Sequence, residues 1–402
     1  MLVITLFLCV AFALACSQDA TNTLLPTPNP APTHDAPIQQ PSLTEQEPQT
    51  TGAPILTPTP LAGPTATIDK PTLLPPANSS NAPTSNLKVA SSQGLSQFTQ
   101  LVVFGDNLSD NGNGSSAHGV AGNPSFIYGF NTWTNGPIAA SYLSTLLSLP
   151  LNQNFAFGHA AGGSKFGVTV DNSFTQSDAE APDAAEQILN YTTSPGFNKE
   201  NAEKSLHFFW FGNNDVLPWL MNPRPHIFFG AGADEGNRVF ATDLATRIAD
   251  NVGSLLDAGA RKVIVPNIYP RHVAPVVAAY FGLDAAAVEQ YGGVIRSVNS
   301  QLKTRLEAFG ERVIYYDAFR FMINMHEQAK NGGVDGIHFM TPGADICDGA
   351  SKQAVPGTDN WELCQVQGRA DEFYWMQFLD PTTHVHRLVA EDMAKVVRVA
   401  LG

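Results

Sequence analysis

Residues 101–113 read LVVFGDNLSDNGN, and this stretch decides the fold. The apolar run Leu101–Phe104 predicts a buried strand, and the glycine after it predicts the turn that ends that strand. Polar side chains follow at once, beginning with Asp106 and Asn107. In α/β proteins, ligands bind at the carboxyl ends of the strands. The segment therefore predicts both an α/β fold and the place of its functional site.

Four further apolar or β-branched runs follow, separated by segments long enough for helices. Alternation of strands and helices predicts βαβ units and a mostly parallel sheet with both faces covered. With the first run, the predicted strands are Leu101–Phe104, Asn154–Phe157, Leu206–Phe211, Lys262–Asn267 and Arg312–Asp317.

The predicted helices lie between and after these strands. Apolar residues recur in residues 238–258 close to the helical period of 3.6, and Gly259 is the predicted C-terminal cap of that helix. The predicted helices are Pro137–Leu147, Phe240–Ala258, Gly292–Phe309 and Thr383–Ala400.

Several short motifs lie along the predicted domain. They are Phe104–Asp110 (FGDNLSD), Trp133–Pro137 (WTNGP), Asn154–Gly158 (NFAFG), Phe211–Asp215 (FGNND) and Ala258–Val263 (AGARKV). Taken in this order they resemble the blocks of the SGNH, or GDSL, family of ester hydrolases. The resemblance is strongest to the branch of phospholipases, lecithinases and haemolysins, whose members hydrolyse lipid or acetyl esters. Each motif alone is weak, but their common order is specific.

The resemblance implies the SGNH hydrolase fold, a three-layer α/β/α structure around a flavodoxin-like, five-stranded, mostly parallel sheet. It also implies ester hydrolysis without a metal or cofactor. In the family, the first block reads Gly-Asp-Ser-Leu-Ser-Asp, and its first serine is the nucleophile. Here that position is Asn107. An amide nitrogen is delocalised into its carbonyl and has no lone pair suited to attack an ester.

The family's last block reads Trp-Asp-x-x-His-Pro-Thr and is followed by a second histidine. Aligning Pro381, Thr382 and His386 with it places the orienting acid at Gln377 and the base at Asp380. All three triad positions are therefore substituted. A glutamine cannot stabilise an imidazolium by charge, and an ordinary aspartate titrates too low to act as a base near neutral pH.

The resemblance implies that this chain retains two hydrogen-bond donors for an oxyanion. The side-chain amide of Asn214 matches one of them, and the backbone N–H of Gly158 matches the other. His159 follows where the family often has a small residue, so either of these two neighbouring N–H groups could face the cleft. Asp215 is interpreted as structural.

Other residues could in principle take over catalysis. Ser109 lies two positions after Asn107 and is interpreted as a helix cap; His384 is expected on the first turn of the last helix, as a surface residue. Residues 335–338 imitate an Asp-x-x-His pair, which we interpret as a coincidence.

The chain is therefore predicted to be a catalytically impaired ester hydrolase, silent or very weak. The alternatives are an active esterase that recruits Ser109 or His384, a non-catalytic surface protein that binds an acyl ligand or acylated glycan or lipid, and a purely structural surface protein.

The first 96 residues have a different composition from the rest. Residues 1–15 are almost wholly apolar, too short to span a bilayer, and end in Ala-Leu-Ala, as in a secretory signal peptide. Cys16 offers the alternative of a lipid anchor at the cell surface. Residues 16–96 are rich in Pro, Thr and Ser and predict a disordered linker. Residues 97–402 form the predicted hydrolase-like domain.

The net charge indicates which partners the chain can bind, and the cysteines indicate its cellular compartment. A formal net charge of −14 argues against nucleic acid, which requires basic surfaces. Cys347 and Cys364 form the predicted disulfide of a secreted chain. The predicted protein is a monomer, and only a lipid on Cys16 would attach it to a membrane.

Overall fold

A computed structural model describes the folded part of the chain. The described residues are 94–114, 131–158, 168–175, 181–217, 232–275, 277, 283–331, 333, 347, 369–376 and 379–402. The predicted signal peptide lies outside them, as does the predicted linker up to residue 93, so both stay predictions. The described part begins with a 3-10 helix, Leu95–Gln97, whose Leu95 packs against the core, so packed structure begins slightly before the predicted boundary at residue 97.

Five strands form one sheet in the order β2-β1-β3-β4-β5, and every neighbouring pair is parallel. This order confirms the predicted flavodoxin-like sheet. The strands are β1 (Gln100–Gly105), β2 (Leu151–Asn154), β3 (Ser205–Trp210), β4 (Lys262–Pro266) and β5 (Val313–Tyr316).

The predicted second strand was placed three residues too late. The register pairs Leu101 with Leu151, and the strand ends at Asn154. Its residues are only partly buried or exposed because β2 lies at the edge of the sheet, so its sequence, LNQN, lacks the apolar run of a central strand. The apolar residues Phe155 and Phe157 follow the strand and still donate backbone hydrogen bonds to β1.

Helices flank the sheet. The described α-helices are α1 (Ala139–Leu147), α2 (Asn172–Thr175), α3 (Ala184–Thr192), α4 (Lys199–Glu203), α5 (Asp234–Asp257), α6 (Ala285–Leu306), α7 (Ala318–Lys330) and α8 (Thr383–Leu401). Short 3-10 helices are found at Leu95–Gln97, Arg271–Val273, Glu307–Arg312 and Ala370–Glu372. All six residues of the central strand β3 are buried, as required when helices cover both faces of a sheet.

Two of the long helices begin earlier than predicted. Helix α5 begins at Asp234, and its first turn, Asp-Glu-Gly-Asn, is polar and carries no apolar period. Helix α6 begins at Ala285, and its first turn is a run of three alanines and a valine in which no apolar period can be recognised. Asp284 caps α6 by accepting the N–H of Ala287 at 2.8 Å. Gly259 follows α5 with φ of 113°, a conformation that favours glycine, and this confirms the predicted cap.

The helices pack in two groups. Helix α1 packs against α8, and α5 packs against α6. Their apolar sides and the strands form one continuous core. None of the described helices has the length and hydrophobicity needed to cross a membrane.

Cys347 lies in a small separate cluster with Phe373 and Met376 and is fully buried. Its predicted partner, Cys364, falls outside the described residues. The disulfide therefore stays a prediction.

Candidate active site

The turn after β1 is built around the carboxylate and carbonyl of Asp106. The carbonyl accepts the N–H groups of Ser109 and Asp110, both at 3.0 Å, and the carboxylate accepts the N–H of Leu108 at 3.0 Å. Asp106 is fully buried, and burial raises its pKa to about 6 although the charge of Arg271 opposes the shift. This closed turn presents the side chain of Asn107 at the end of the strand.

Both ends of the Asn107 amide are hydrogen-bonded. Its Nδ2 donates to Oδ1 of Asp380 at 2.5 Å, and its Oδ1 accepts from Nδ2 of Asn214 at 3.1 Å. Three of the predicted site residues, distant in sequence, thus meet at one point. Gln377 lies outside the described residues, so its predicted place in the site remains untested.

The amide of Asn214 is also fully used. Its Nδ2 makes a second donation, to the carbonyl of Val168 at 3.0 Å, and its Oδ1 accepts from Nη2 of Arg271 at 3.0 Å. A carboxamide has two N–H hydrogens, so these contacts occupy both of them. The group predicted to stabilise an oxyanion donates instead to Asn107 and Val168.

Arg271 is a residue that the sequence motifs did not reveal. It opens the 3-10 helix Arg271–Val273, just after β4, and is completely buried. The only signal in the sequence was its position beyond the carboxyl end of a predicted strand. That signal is weak, because most such residues do not reach the site.

Gly158, the second predicted oxyanion donor, packs against a tryptophan. A Cβ atom at this position would lie 2.0 Å from the indole nitrogen of Trp133, so only glycine fits. The Gly158 N–H donates to Oδ2 of Asp110 at 3.1 Å, and the same oxygen accepts the Trp133 N–H at 2.8 Å. Asp110 therefore holds this N–H, and its role toward an oxyanion stays a prediction. His159 is outside the described residues.

A tight loop before α8 carries Asp380. The N–H of Met376 donates to the carbonyl of Asp380 at 2.8 Å, and Trp375 pairs with Pro381 in an antiparallel bridge. The Tyr269 hydroxyl donates to the carbonyl of Leu379 at 2.8 Å. These backbone anchors fix Asp380, which is only 3% exposed, beside Asn107.

Comparison with known proteins identifies the family to which this fold belongs. The sequence matches the family model of the GDSL-like lipases and acylhydrolases over residues 101–346. The chain belongs to this family. The match ends before the loop that carries Asp380, so it leaves the assignment of the last block untested.

Two relatives illustrate the GDSL family. The chain is 27% identical to Lipase 1 of Photorhabdus luminescens over 186 residues, which are 45% of this chain and 24% of that protein. It is 24% identical to a GDSL esterase/lipase of Arabidopsis thaliana over 238 residues, which are 53% of this chain and 60% of that protein. The chain thus spans less than two thirds of the length of either GDSL relative.

Ser109, the first substitute nucleophile considered for this GDSL chain, lies in a closed position. It is fully buried, and its Oγ has no hydrogen-bond partner in the part of the chain that the structure describes. A Cβ on Gly105 would lie 2.7 Å from this hydroxyl. The prediction that Ser109 caps a helix is wrong, because it lies within the turn; the Asp110 carboxylate accepts the N–H groups of Gly112 and Asn113 instead.

His384, the second substitute, lies on the first turn of α8, as predicted. It is only 6% exposed, so its prediction as a surface residue is wrong. Its neighbours are Asp371, whose Oδ2 lies 3.7 Å from the His384 Nδ1, and Arg387, whose Nη2 lies 3.5 Å from Nε2. These contacts tie the imidazole to residues other than the Asn107–Asp380 pair.

His386, which fixed the alignment of the last GDSL block, has a structural role. Its Nδ1 accepts the N–H of Ala139 at 3.2 Å at the start of α1. Burial lowers its pKa to about 3, so this imidazole is neutral at physiological pH and can accept that hydrogen bond.

Asp215 holds the segment beside Asn214. Its two carboxylate oxygens accept the N–H of Val170 at 3.0 and 3.2 Å, and burial raises its pKa to about 8. The interpretation of Asp215 as a structural residue agrees with these contacts. Among the described residues, no group of three or more His, Cys, Asp or Glu side chains is placed to hold a metal ion. Residues 335–338 lie in an undescribed segment.

Proposed function

We propose that this GDSL-family chain is a secreted relative of the lipid and acyl-ester hydrolases whose own site is catalytically silent. The family match and the names of the two relatives support ester hydrolysis as its origin. Silence of the present site is a separate inference, which rests on residue 107.

The observation that carries the proposal is that the side chain at the nucleophile position is hydrogen-bonded at both ends. Acyl transfer requires a nucleophile whose proton a neighbouring base can remove. The Asn107 nitrogen is an amide that donates to the Asp380 carboxylate, and its lone pair is delocalised. Even if Asp380 removed a proton from this amide, the Asn107 nitrogen would not become an effective nucleophile.

The oxygen of Asn107 adds a second obstacle. It accepts from Asn214 as the carbonyl oxygen of a substrate would in an oxyanion site. An ester entering the cleft must therefore displace an internal carboxamide. The side chain of Asn107 both replaces the nucleophile and occupies a donor that catalysis would require.

The experiment is hydrolysis of p-nitrophenyl acetate and butyrate by the mature chain. Four variants accompany it: Asn107→Ala, Asn107→Ser, Ser109→Ala, and the triple change Asn107→Ser, Gln377→Asp, Asp380→His. The unmodified chain and Asn107→Ala are expected to be silent, Asn107→Ser weak, and the triple change active. Turnover by the unmodified chain that Ser109→Ala abolishes would contradict the proposal and support the active-esterase alternative.

A non-catalytic role in binding an acyl ligand or acylated glycan or lipid is the second candidate, because Asn214 is retained beside the substituted triad. A small acyl amide such as butyramide serves as the probe, since it cannot be hydrolysed at an appreciable rate. We expect butyramide to stabilise Asn107→Ala more than the unmodified chain, because the substitution frees a donor of Asn214. Equal stabilisation of both proteins would show that Asn107 does not block the acyl contact.

Export is the remaining part of the proposal. It rests on the apolar residues 1–15 and on the pair Cys347 and Cys364, which would form a disulfide in an oxidising compartment. Mass spectrometry of the protein recovered outside the cell tests it. We expect an N-terminus at residue 16 and a mass lower by two hydrogens than that of the reduced chain; added lipid mass would support anchoring through Cys16.

A further inference from the structure

Arg271 is a cation buried behind the candidate site, and its charge interacts with the buried Asp106 carboxyl without a direct salt bridge in the described part of the chain. Its Nη2 donates to Asn214, whereas Nε and Nη1 are buried and make no hydrogen bond in the described part of the chain. The guanidinium lies 5.1 Å from the centre of the Tyr269 ring. Burial of a charge costs several kcal/mol unless it is well paired, so this arrangement is a poor source of stability.

The contacts of Arg271 begin a chain of hydrogen bonds that runs in one direction. Arg271 donates to Asn214, Asn214 donates to Asn107, and Asn107 donates to Asp380. The ends of the chain have opposite chemistry, because a guanidinium can only donate and an ionised carboxylate can only accept.

These two ends leave the amides between them a single orientation. If Asn214 were turned over, its NH2 group would face the donor Nη2 of Arg271, and its oxygen would face Asn107. If Asn107 were turned over, its oxygen would face the Asp380 carboxylate. Either change would place donor against donor or acceptor against acceptor, so the charged ends fix which way both amides point.

We infer that Arg271 is a positioning residue that holds the Asn214 amide with its NH2 group toward position 107. This inference rests on the proposed function of Asn214 as the retained oxyanion donor. The buried positive charge also lies behind the donor, where it favours negative charge developing at the amide hydrogens. In the present chain, the Asn214 amide held in this orientation donates to Oδ1 of Asn107.

A positioning role accounts for the burial of an arginine at this place. The charge of Arg271 also opposes the rise that burial gives the Asp106 pKa, which shows that it acts on the turn below Asn107. The substitution Arg271→Met introduces a neutral side chain of similar length and removes both the hydrogen-bond donor and the charge. Arg271→Lys keeps the charge but loses the planar array of guanidinium N–H groups.

The first test uses the protein with its natural residues at positions 107, 377 and 380 and does not depend on catalysis. Asparagine side chains are labelled with 15N, the Asn214 signals are assigned through Asn214→Ser, and hydrogen exchange of its NH2 group is followed by NMR. We expect Arg271→Met to raise the exchange rate of this NH2 group by about tenfold or more. The rate in Arg271→Lys should lie between those of Arg271→Met and the unmodified chain. The matched control is Arg312→Met, which removes a guanidinium donating to the Leu256 carbonyl at 2.7 Å, away from the site.

The second test places the same substitutions in the triple change at positions 107, 377 and 380. We expect Arg271→Met to lower kcat by about 10- to 100-fold with little change in KM, as expected when a reacting group is misplaced. Arg271→Lys should recover part of the loss, and Arg312→Met should leave kcat unchanged. Unfolding by urea is measured alongside, and Arg271→Met is expected to unfold at the same or a higher urea concentration.

The two tests separate failure of the proposal from failure of the proposed function. If the triple change is inactive, the assignment of the last block is wrong, and the exchange measurement still judges Arg271. If exchange of the Asn214 amide and kcat are both unaffected by Arg271→Met, the positioning role is overturned. Arg271→Met could also destabilise the protein as much as deletion of a core side chain. If the faster exchange of the Asn214 NH2 group were then fully explained by more frequent global unfolding, Arg271 would act only in folding.

Discussion

An asparagine at position 107 can donate and accept at once through two rigidly linked atoms, which a serine hydroxyl cannot do in the same geometry. Its nitrogen faces the carboxylate of Asp380 and its oxygen faces the amide of Asn214. The substitution at position 380 suits this partner, because a carboxylate accepts where a neutral histidine would offer one lone pair. The residues at positions 107 and 380 are thus adapted to each other.

Asp215 gives a prediction at the residue scale. Burial raises its pKa from the ordinary 3.8 of an aspartate to about 8, so between these pH values the folded chain retains a proton that the unfolded chain has already released. The stability that this neutral carboxyl contributes is fully present below pH 3.8 and is lost as the pH rises through about 8. Asp215→Asn keeps an oxygen for the Val170 N–H and removes the titration.

We therefore expect the free energy of unfolding of Asp215→Asn, measured relative to the unmodified chain, to increase as the pH rises from 5 to 9. Urea unfolding at one-unit steps of pH measures this difference. The slope approaches about 1.4 kcal/mol per pH unit where the folded and unfolded states differ by one proton. A difference that stays constant across this range would show that Asp215 is ionised in the folded chain.

At the scale of elements, the start of α8 connects the core to the loop that carries Asp380. The Thr382 hydroxyl donates to the carbonyl of Phe373 at 2.8 Å and accepts the N–H of Val385 at 3.4 Å. Next to it, the N–H of Thr383 donates to Oδ1 of Asn135 at 2.9 Å. The motif around Asn135 therefore holds the helix start, a role that its conformity to a family block did not reveal.

Thr382→Ala removes this cap. We expect a loss of about 1–2 kcal/mol in the free energy of unfolding, because the N–H at the helix start and the Phe373 carbonyl both lose their partner. Urea unfolding measures the loss. The matched control is Thr304→Ala on the exposed side of α6, where the hydroxyl only bonds the carbonyl of Ser300 one turn earlier, and there we expect a change within about 0.5 kcal/mol. Equal losses in the two variants would contradict a capping role for Thr382.

The elements that the sequence predicted well are those whose signal is local. Strands β1, β3 and β4 are buried apolar runs, and Gly259 ends α5 with the backbone conformation that glycine favours. Strand β2 was misplaced because an edge strand has no apolar run. Residues such as Arg271 could not be found, because their role depends on contacts between segments 57 positions apart, and no local pattern encodes those contacts.

At the scale of the whole molecule, the described structure begins on the side where the chain ends. A Cβ atom on Gly94 would lie 1.6 Å from the carbonyl oxygen of Leu401, so the first described residue is in close contact with the end of α8. Phe98 is 4% exposed, and the N–H of Thr99 donates to the carbonyl of Lys204 at 2.8 Å. The residues just before β1 are therefore part of the folded domain.

This packing makes a prediction about truncation. A chain that begins at residue 83 is expected to unfold at the Tm of the mature protein, because the residues it omits belong to the predicted linker. A chain that begins at residue 99 loses the burial of Phe98 and the packing of Leu95, worth about 2–4 kcal/mol together. We expect its Tm to fall by about 3–6 °C, given the unfolding entropy of a domain of this size. The comparison chain begins at residue 94 and keeps both side chains, so its Tm should match that of the longer protein.

If the chains beginning at residues 94 and 99 unfolded at the same temperature, the segment before β1 would contribute nothing to the fold. If the chain beginning at residue 83 were already destabilised, the predicted linker would instead be part of the folded structure.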